Sequence, residues 1–438
     1  MRYIAWAGLF VVHISPWLEF EIRVYHIVML KVNKKRLWDS LMEMGRLGGL
    51  PNGGCCRLAL TDEDKAGRDL FVSWCRQAAC EVEIDQAGNI FARRSGTNPE
   101  LPSIATGSHL DTQPHGGKFD GIYGVLAGLE VIRSLTDAGI QTRAPIDVIV
   151  WTNEEGARFT PPLAGSATFA GLFDIDDIHR ARTHDGSLVR DELERIAYLG
   201  TLRPGERDLD AFFEAHIEQG PVLEANGLTV GIVTGIQGIR WFSVEVEGTD
   251  SHAGTVPMEM RRDALSGAAQ MVVQLRKAAI KFHPEIRFTV GRFDILPNSG
   301  STIPGHVSFN IDLRHPDEGR LDEFESMMQR EMKNIATSQK LGLEIERTIS
   351  ASPVIFDEKM VSLVRQTVKN LGYSHMEMIS GAGHDAMNLS SIIPTTMIFV
   401  PCKDGISHNE AEFASPEDLA AGATVLLNAM LTRAGNSI

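Results

Sequence analysis

Hydrophobic and polar positions follow two different arrangements along this chain. In the first arrangement, short apolar runs rich in β-branched residues alternate with helical spacing. The runs over 103–107 and 146–152 predict strands that are buried on both faces. Between them, Val125, Leu129 and Ile132 recur at i, i+4 and i+7, which predicts a helix. Strand, polar loop, helix and strand in this order favour an α/β fold, in which sites gather at the carboxyl ends of strands.

The middle of the chain has a different order of elements. Alternating positions predict four strands, and positions with helical spacing predict two helices. The predicted order is a strand over 240–248, a helix over 262–279, strands over 286–293 and 306–313, a helix over 321–336 and a strand over 343–349. This βαββαβ order is typical of a ferredoxin-like domain of about a hundred residues. After Ser350 the α/β pattern resumes with a buried strand over 396–401, so the middle domain is interpreted as an insertion.

These changes of pattern divide the 438 residues into three parts. Residues 33–238 and 351–438 form the predicted catalytic domain, and residues 239–350 form the inserted domain. Residues 1–32 are apolar and aromatic, but charged residues interrupt every run before it reaches the roughly 20 residues of a membrane span. No clear small-residue cleavage site follows them either. We interpret residues 1–32 as an atypical N-terminal extension and expect no membrane partner.

Composition excludes several classes of function. The formal net charge is −15 and no basic stripe is visible, which argues against a nucleic-acid partner. The five cysteines include no Cys-x-x-Cys pair, so reduced thiols and a cytoplasmic location are expected. Neither a Gly-x-Ser-x-Gly elbow nor a phosphate-binding glycine pattern occurs, so a serine hydrolase, a P-loop enzyme and a dinucleotide enzyme lack support.

Several potential metal ligands lie at or just beyond the ends of predicted strands. Any one of them alone would be typical of a structural histidine or a solvated loop. Their repetition at strand ends, where loops converge, favours a metal site. Imidazoles and carboxylates together suit Zn²⁺ first, and also Mn²⁺, Co²⁺ and Ni²⁺. These residues are His109, Asp111, Asp120, Glu154, Glu155 and His408, and His216 in His-Ile-Glu-Gln-Gly adds a third imidazole.

Their chemistry suggests different roles. Asp120 is the best bridging carboxylate, because the flanking glycines let the backbone turn closely around an ion. Asp111 lies two residues beyond His109 and is expected to accept the second ring N–H of a ligating histidine. The adjacent Glu154 and Glu155 diverge, so one would bind metal while the other acts as general base, and spacing leaves open which. Two ions that share one carboxylate favour hydrolysis of an amide-like bond.

These motifs resemble those of the M20 metallopeptidase-related amidohydrolases. The resemblance is to the branch of N-carbamoyl-L-amino-acid hydrolases, β-ureidopropionases and allantoate amidohydrolases, and it extends from about residue 33 to the C-terminus. It implies a zinc-exopeptidase-like catalytic domain with a mixed sheet, and an inserted ferredoxin-like lid and dimerisation domain. Two divalent ions per subunit and a homodimer are expected. The motifs, in the family's order, include Gly-Ser-His-Leu-Asp-Thr, Gly-Gly-Lys-Phe-Asp-Gly, Asn-Glu-Glu-Gly, His-Ile-Glu-Gln-Gly, Ser-His-Ala-Gly, Asp-Leu-Arg, Gly-Ala-Gly-His-Asp-Ala and Asp-Gly-Ile-Ser-His-Asn-Glu.

The resemblance also implies roles for individual residues. His216 favours the carbamoylase branch, because many peptidases of the wider group are expected to have a carboxylate there. Glu154 matches the general base, so a non-catalytic binding protein is disfavoured. The matched metal ligands are His109, Asp120 as the bridge, Glu155, His216 and His408, and the matched catalytic residues are Glu154 and Asp111.

A further group of residues matches substrate-contact positions, some of them across a dimer interface. Among them, Arg314 follows a predicted strand, where its guanidinium could grip a substrate carboxylate through two parallel hydrogen bonds. Taken singly, each of these residues would be typical of a surface charge, a turn former or a structural residue. Under the resemblance, the expected substrate contacts are Gln219, Arg240, His252, Asn298, Arg314, Gly383 and His384.

The expected reaction is attack of water on the ureido carbonyl of an N-carbamoyl amino acid, which yields the amino acid, ammonia and carbon dioxide. Allantoate amidohydrolase is the alternative, since it would share the metal centre and differ in pocket shape. A dipeptidase or aminoacylase of the same fold ranks third, because His216 disfavours it. The sequence leaves open whether α- or β-amino acids are preferred.

Overall fold

The computed structural model describes residues 29–183 and 185–435. Most of the N-terminal extension interpreted above therefore lies outside the described residues. None of the helices in the described ranges is both long and apolar enough to cross a bilayer. The helices are α1 (Lys34–Met44), α2 (Asp62–Gln77), α3 (Ile122–Asp137), α4 (Ala164–Phe169), α5 (Ile175–Arg180), α6 (Val189–Arg195), α7 (Val222–Asn226), α8 (Ala264–Phe282), α9 (Glu318–Gln339), α10 (Glu358–Leu371), α11 (Asp385–Leu389) and α12 (Pro416–Ala434).

The strands belong to two main sheets and one small two-stranded ribbon. They are β1 (Glu81–Ile84), β2 (Ile90–Arg94), β3 (Ser103–His109), β4 (Ile146–Trp151), β5 (Leu209–Ile217), β6 (Val230–Ile236), β7 (Gly238–Glu247), β8 (Ser251–His252), β9 (Arg287–Thr289), β10 (Phe293–Leu296), β11 (Thr302–Ile303), β12 (His306–His315), β13 (Gly342–Ala351), β14 (Val354–Ile355), β15 (His375–Ser380) and β16 (Thr395–Val400).

The large sheet has nine strands in the order β1-β2-β4-β3-β5-β16-β6-β14, with β15 paired to β6. Its centre is parallel, because β3 pairs in parallel with both β4 and β5, and β16 pairs in parallel with β5. Every residue of β3, β4 and β16 is buried, as their continuous apolar runs predict. The carboxyl ends of four neighbouring strands therefore meet at one edge of the sheet.

Helix α3 packs closely against this parallel centre. Two glycines one turn apart make the close approach possible, since a methyl group on Gly124 would lie 2.5 Å from the Ala215 carbonyl oxygen. A methyl group on Gly128 would lie 2.8 Å from the Thr106 side chain. The helix starts directly after Gly121, so its close packing also fixes the loop that contains Asp120.

The inserted region folds around a hydrophobic core of its own, formed by residues between Phe242 and Ala336. Its sheet has the order β10-β12-β7-β13, with β9 also paired to β12, and α8 and α9 pack on it. The predicted second strand is divided into β9 and β10. The side-chain oxygen of Asn310 accepts hydrogen bonds from the backbone of Gly291 and Arg292, and these residues leave the ladder. The chain crosses between the two sheets around residues 237 and 352–353.

Candidate metal centre

The parallel strands deliver the candidate ligands to one edge of the large sheet. His109 is the last residue of β3, and His216 lies near the end of β5. Glu154 and Glu155 follow β4 in a turn that begins with Asn153, whose φ is 55°. The Asn153 side chain stabilises this turn by donating to the carbonyl oxygens of residues 159 and 161. The loops before α3 and after β16 complete the cluster.

The five candidate ligands form two sets that share one carboxylate. In the inner set, defined as His109, Asp120 and His216, the two Nε2 atoms lie 3.8 and 3.2 Å from Asp120 Oδ1. In the outer set, defined as Asp120, Glu155 and His408, the Nε2 atom of His408 lies 3.1 Å from Asp120 Oδ2 and 3.3 Å from Glu155 Oε2. Within each set all ligand atoms lie within 4.8 Å of one another. Asp120 thus directs one oxygen to each set.

This geometry fits divalent metal ions. A tetrahedral ion with ligands at about 2.0–2.1 Å separates its donor atoms by roughly 3.3 Å, close to the spacing in both sets. The histidine tautomers agree, because Nδ1 of His109 lies 2.8 Å from the Asp111 carbonyl oxygen and Nδ1 of His216 lies 2.9 Å from the Ile217 carbonyl oxygen. A carbonyl oxygen only accepts, so Nδ1 carries the hydrogen and Nε2 offers its lone pair to the site.

The concentration of buried carboxyl groups in the site also favours the binding of cations. Burial raises the pKa of Glu154 well above its usual range, and the charges of Asp385 and Glu155 act in the same direction. Burial, reinforced by Asp120, raises the pKa of Glu155 to about 8. The hydrogen bond to Asp120 raises the pKa of His408 to about 9. Divalent cations would compensate this concentration of buried carboxylates and invert these shifts.

Glu154 and Glu155 differ in their surroundings. Glu155 belongs to the outer set, and the Gln113 side chain and backbone donate hydrogen bonds of 2.8 and 3.1 Å to its two oxygens. Glu154 belongs to neither set, and its Oε2 lies 3.5 Å from Nε2 of His109. The geometry therefore favours Glu155 as the ligand and leaves the carboxylate of Glu154 beside the cluster.

Asp111 contacts the cluster in a different way from the expected one. Its backbone carbonyl, not its carboxylate, accepts the hydrogen bond of the His109 ring. Because the strand ends at His109, the ring folds back onto the main chain two residues later. The Asp111 carboxylate instead accepts hydrogen bonds from the backbone N–H groups of Glu154 and Glu155 at 3.4 and 3.2 Å. Asp111 therefore fixes the turn that presents these two glutamates.

Several predicted substrate contacts lie around this cluster. The Gln219 amide donates a 2.9 Å hydrogen bond to Asp120 Oδ2. The His384 ring packs with its centroid 4.5 Å from that of His216, on the same loop as Gly383. Arg314 extends from the inserted domain to this loop, where Nη1 donates to the Gly381 carbonyl oxygen at 2.8 Å. Arg314 is also held by two hydrogen bonds to the Asp312 carboxylate.

Three other predicted contacts are not brought to the cluster. Arg240 is buried and pairs with three carboxylates of α9 at 2.6–2.7 Å. Arg240 lies on β7 and points to α9, which is about 80 residues further along the chain. In the structure it therefore connects a strand and a helix of the inserted domain. His252 and Asn298 are exposed, and among the described residues neither hydrogen bonds to a member of the ligand sets. The paired carboxylates are Glu318, Asp322 and Glu325.

Two buried acids near the ligands were missed by the sequence reasoning. Glu214 is fully buried and accepts hydrogen bonds from the Ser108 hydroxyl and the Ala386 backbone. Its position two residues before His216 in the same strand was a usable signal, since alternate residues share a face. Glu412 is also buried, and it follows His408 by four residues in Ser-His-Asn-Glu-Ala-Glu. Only its local contacts distinguish it from the neighbouring Glu410.

Comparison with known proteins identifies relatives along almost the whole chain. Residues 105–432 match the model of peptidase family M20/M25/M40. An N-carbamoyl-L-amino-acid amidohydrolase of Rhizobium meliloti is 45% identical over 404 residues, which cover 92% of this chain and 97% of that protein. An allantoate amidohydrolase of Bacillus subtilis is 33% identical over 395 residues, which cover 90% and 96% of the two chains.

Solved structures agree with this comparison. The crystal structure of an amidase of the hydantoinase/carbamoylase family from Burkholderia multivorans has a TM-score of 0.90 to this chain at 50% identity. The match covers 92% of this chain and 98% of the amidase. The α/β fold with a mixed sheet that the sequence predicts is therefore confirmed.

Proposed function

Because the chain belongs to peptidase family M20/M25/M40, we propose that it is a metal-dependent hydrolase of the ureido C–N bond of N-carbamoyl amino acids. The products would be the amino acid, ammonia and carbon dioxide. The observation that carries this proposal is the pair of ligand sets that share Asp120, with the carboxylate of Glu154 beside them. The high identity to the Rhizobium meliloti amidohydrolase supports the choice of a carbamoyl substrate over a peptide.

Two divalent ions, Zn²⁺ in the first instance, would be held by the inner and outer sets, where they would acidify a water molecule and polarise the substrate carbonyl. Glu154 is the proposed general base, which removes a proton from the attacking water and returns it to the leaving nitrogen. Glu154 must be ionised to accept this proton, and the two ions beside it would lower the pKa that burial raises in the metal-free site. Asp111 would keep Glu154 in place by accepting the hydrogen bond from its backbone N–H group.

The substrate carboxylate is assigned to Arg314. Its guanidinium donates to the carbonyl oxygen of Gly381, in the loop whose His384 ring packs against the ring of His216. Asp312 occupies the Nε and Nη2 edge of the guanidinium and holds its plane, so a substrate carboxylate would bind the remaining hydrogens of Nη1 and Nη2. Gln219 is the residue proposed to bind the ureido group, because its side chain contacts Asp120 directly.

We further propose that the inserted domain acts as a lid and forms a homodimer. The exposed face of α8 includes Val273 and Ile280, whose exposed fractions are 50% and 72%. Apolar residues so exposed on one helix are typical of a protein interface. His252 and Asn298 would then contribute to substrate binding after lid closure or from the second subunit. The free cysteines fit a cytoplasmic location, which is part of the same proposal.

Allantoate is the second candidate substrate, supported by the 33% identity to the Bacillus subtilis enzyme. A substrate panel separates the candidates. Metal-reconstituted protein would be supplied with several N-carbamoyl-L-α-amino acids, N-carbamoyl-β-alanine, allantoate and a dipeptide, and ammonia and amino acid release would be measured. We expect the highest kcat/KM with an N-carbamoyl amino acid. Cleavage of the dipeptide alone, without ammonia release from any ureido compound, would overturn the proposal. The Glu154→Gln variant is the matched control for contaminating activity.

A further inference from the structure

A buried carboxylate lies between the two loops that hold Asp120 and His408. Glu412 has an exposed fraction of 6% and is located in the loop between β16 and α12. Its Oε1 atom accepts hydrogen bonds from the backbone N–H groups of Phe119 and Asp120, at 2.9 and 3.1 Å. Its Oε2 atom accepts a 2.8 Å hydrogen bond from the hydroxyl of Ser407. One side chain thus connects two loops that are about 290 residues apart in sequence.

The contacts of Glu412 continue to the oxygen of Asp120 that belongs to the outer set. The Ser407 hydroxyl lies 3.2 Å from Asp120 Oδ2, and it also accepts a hydrogen bond from Gln219 at 3.1 Å. Ser407 immediately precedes His408, whose φ of 52° makes its backbone sensitive to local support. Glu412 therefore holds the main chain of the shared carboxylate and, through one hydroxyl, the start of the His408 turn.

A glycine opposite Glu412 provides independent support for this role. A methyl group on Gly117 would approach Glu412 Oε1 far inside van der Waals contact, at 1.9 Å. The loop can enclose the carboxylate only because residue 117 has no side chain, which is a use of glycine for close approach. The Gly-Gly-Lys-Phe-Asp-Gly motif that contains Asp120 therefore also contains the glycine that makes room for the Glu412 carboxylate.

We propose that Glu412 is a positioning residue that fixes Asp120 relative to His408 and so determines how tightly the outer set binds its ion. This inference rests on the metal centre proposed above. The inner set has separate support, because its two histidines are oriented by the carbonyl oxygens of Asp111 and Ile217 at strand ends. Loss of Glu412 should therefore weaken the outer ion and leave the inner ion largely in place. Groups that orient metal ligands typically change metal affinity by about 10- to 100-fold.

The test is a titration of the metal-free protein with Co²⁺ and Zn²⁺. Binding is measured by calorimetry for both ions and by the visible spectrum for Co²⁺. We expect two binding events for the unaltered protein. Glu412→Ala should weaken one event by about 10- to 100-fold and leave the other unchanged. Glu412→Gln should be affected less, since its amide oxygen can still accept both backbone N–H groups. Gly117→Ala should reproduce the alanine variant, because it displaces the same carboxylate.

Glu410→Gln is the matched control, because Glu410 lies in the same loop and pairs with His115 away from the ligand sets. It should bind both ions like the unaltered protein. Equal affinities in Glu412→Ala and Glu410→Gln, with two ions bound by each, would overturn the inference while the metal centre stands. Equal weakening of both ions in Glu412→Ala would also overturn it, because that outcome indicates a general structural role. Fewer than two ions in the unaltered protein would instead remove the proposed metal centre itself.

If Glu412→Ala does not fold, Gly117→Ala is compared with Glu410→Gln in its place, because the added methyl group displaces the Glu412 carboxylate. A weaker outer ion in Gly117→Ala alone supports the inference, and identical titrations overturn it. The assignment of the affected event to the outer set is checked with His408→Ala, which should remove the same event.

Discussion

The edge of the large sheet and the exposed loops of the inserted domain differ in how completely a single chain builds them. At the sheet edge, His109, Asp120 and His216 are at most 5% exposed, and each has its hydrogen-bond partners in place. In the inserted domain, His252 and Asn298 are exposed, whereas Arg314 donates a hydrogen bond to Gly381 of the catalytic domain. We infer that the reacting groups are preorganised within one chain, whereas substrate recognition requires lid closure or a second subunit.

Removal of the shared carboxylate should have the largest effect, because it damages both ligand sets. Asp120→Ala is expected to lose both ions and to reduce turnover to background, because Asp120 is a member of both ligand sets. His216→Ala and His408→Ala should each retain partial occupancy, since each removes a ligand from one set only. Elemental analysis of purified protein measures this. Full metal content in Asp120→Ala would eliminate the bimetallic site.

The two adjacent glutamates should separate chemistry from metal binding. Glu154→Gln keeps the shape of the side chain but cannot accept a proton, so turnover should fall by about 10²-fold or more with both ions retained. Glu155→Gln should reduce metal content, because Glu155 belongs to the outer set. Paired kinetics and metal analysis of both variants decide the assignment. The reverse pattern would exchange the roles of the two residues.

Loss of Arg314 tests the predicted substrate contact that extends from the inserted domain to the catalytic domain. A charge-assisted hydrogen bond contributes about 1.5–3 kcal/mol, so Arg314→Ala should lower kcat/KM by roughly 10- to 200-fold. Arg314→Lys should recover only part of this, because an ammonium group lacks the planar fork. If lid closure delivers Arg314, kcat should fall along with the rise in KM.

A neutral-amide analogue of the substrate provides the control for Arg314. The unaltered protein should discriminate strongly against it, and Arg314→Ala should hardly distinguish the two compounds. Equal discrimination by both proteins would mean that Arg314 makes only the contacts to Asp312 and Gly381 seen in the fold.

The sequence predicts the sheet edge better than it predicts the inserted domain, for a physical reason. His109, Glu154 and Glu155 are adjacent to continuous apolar strands, and the ends of parallel strands must converge. Strand β5 was not recognised, because buried polar residues such as Glu214 interrupt its apolar pattern. The contact of Asp111 depends on a ring folding back onto the main chain, which spacing does not reveal.

Long-range contacts explain the remaining differences between expectation and structure. The sequence places Arg240 on a strand, but its partners belong to a helix 78–85 residues away. The division of the second predicted strand likewise depends on Asn310 of the neighbouring strand. Local patterns therefore identify which residues end a strand, whereas the partner of a long side chain depends on the packing of distant elements.

Arg240 gives the smallest expected effect and tests whether the inserted domain contributes by stability or by contact. Its guanidinium is buried against α9, but two of its three partner carboxylates are substantially exposed, so solvent weakens the pairs. Arg240→Met keeps much of the apolar stem and removes the charge, which should destabilise the inserted domain by about 1–3 kcal/mol. Thermal unfolding should then show a lower Tm, by roughly 4–8 °C for each kcal/mol lost in a domain of about a hundred residues. KM should change little at a temperature where the variant is folded. A large rise in KM without any loss of Tm would instead restore Arg240 as a substrate contact, which would require it to leave α9 when the lid closes.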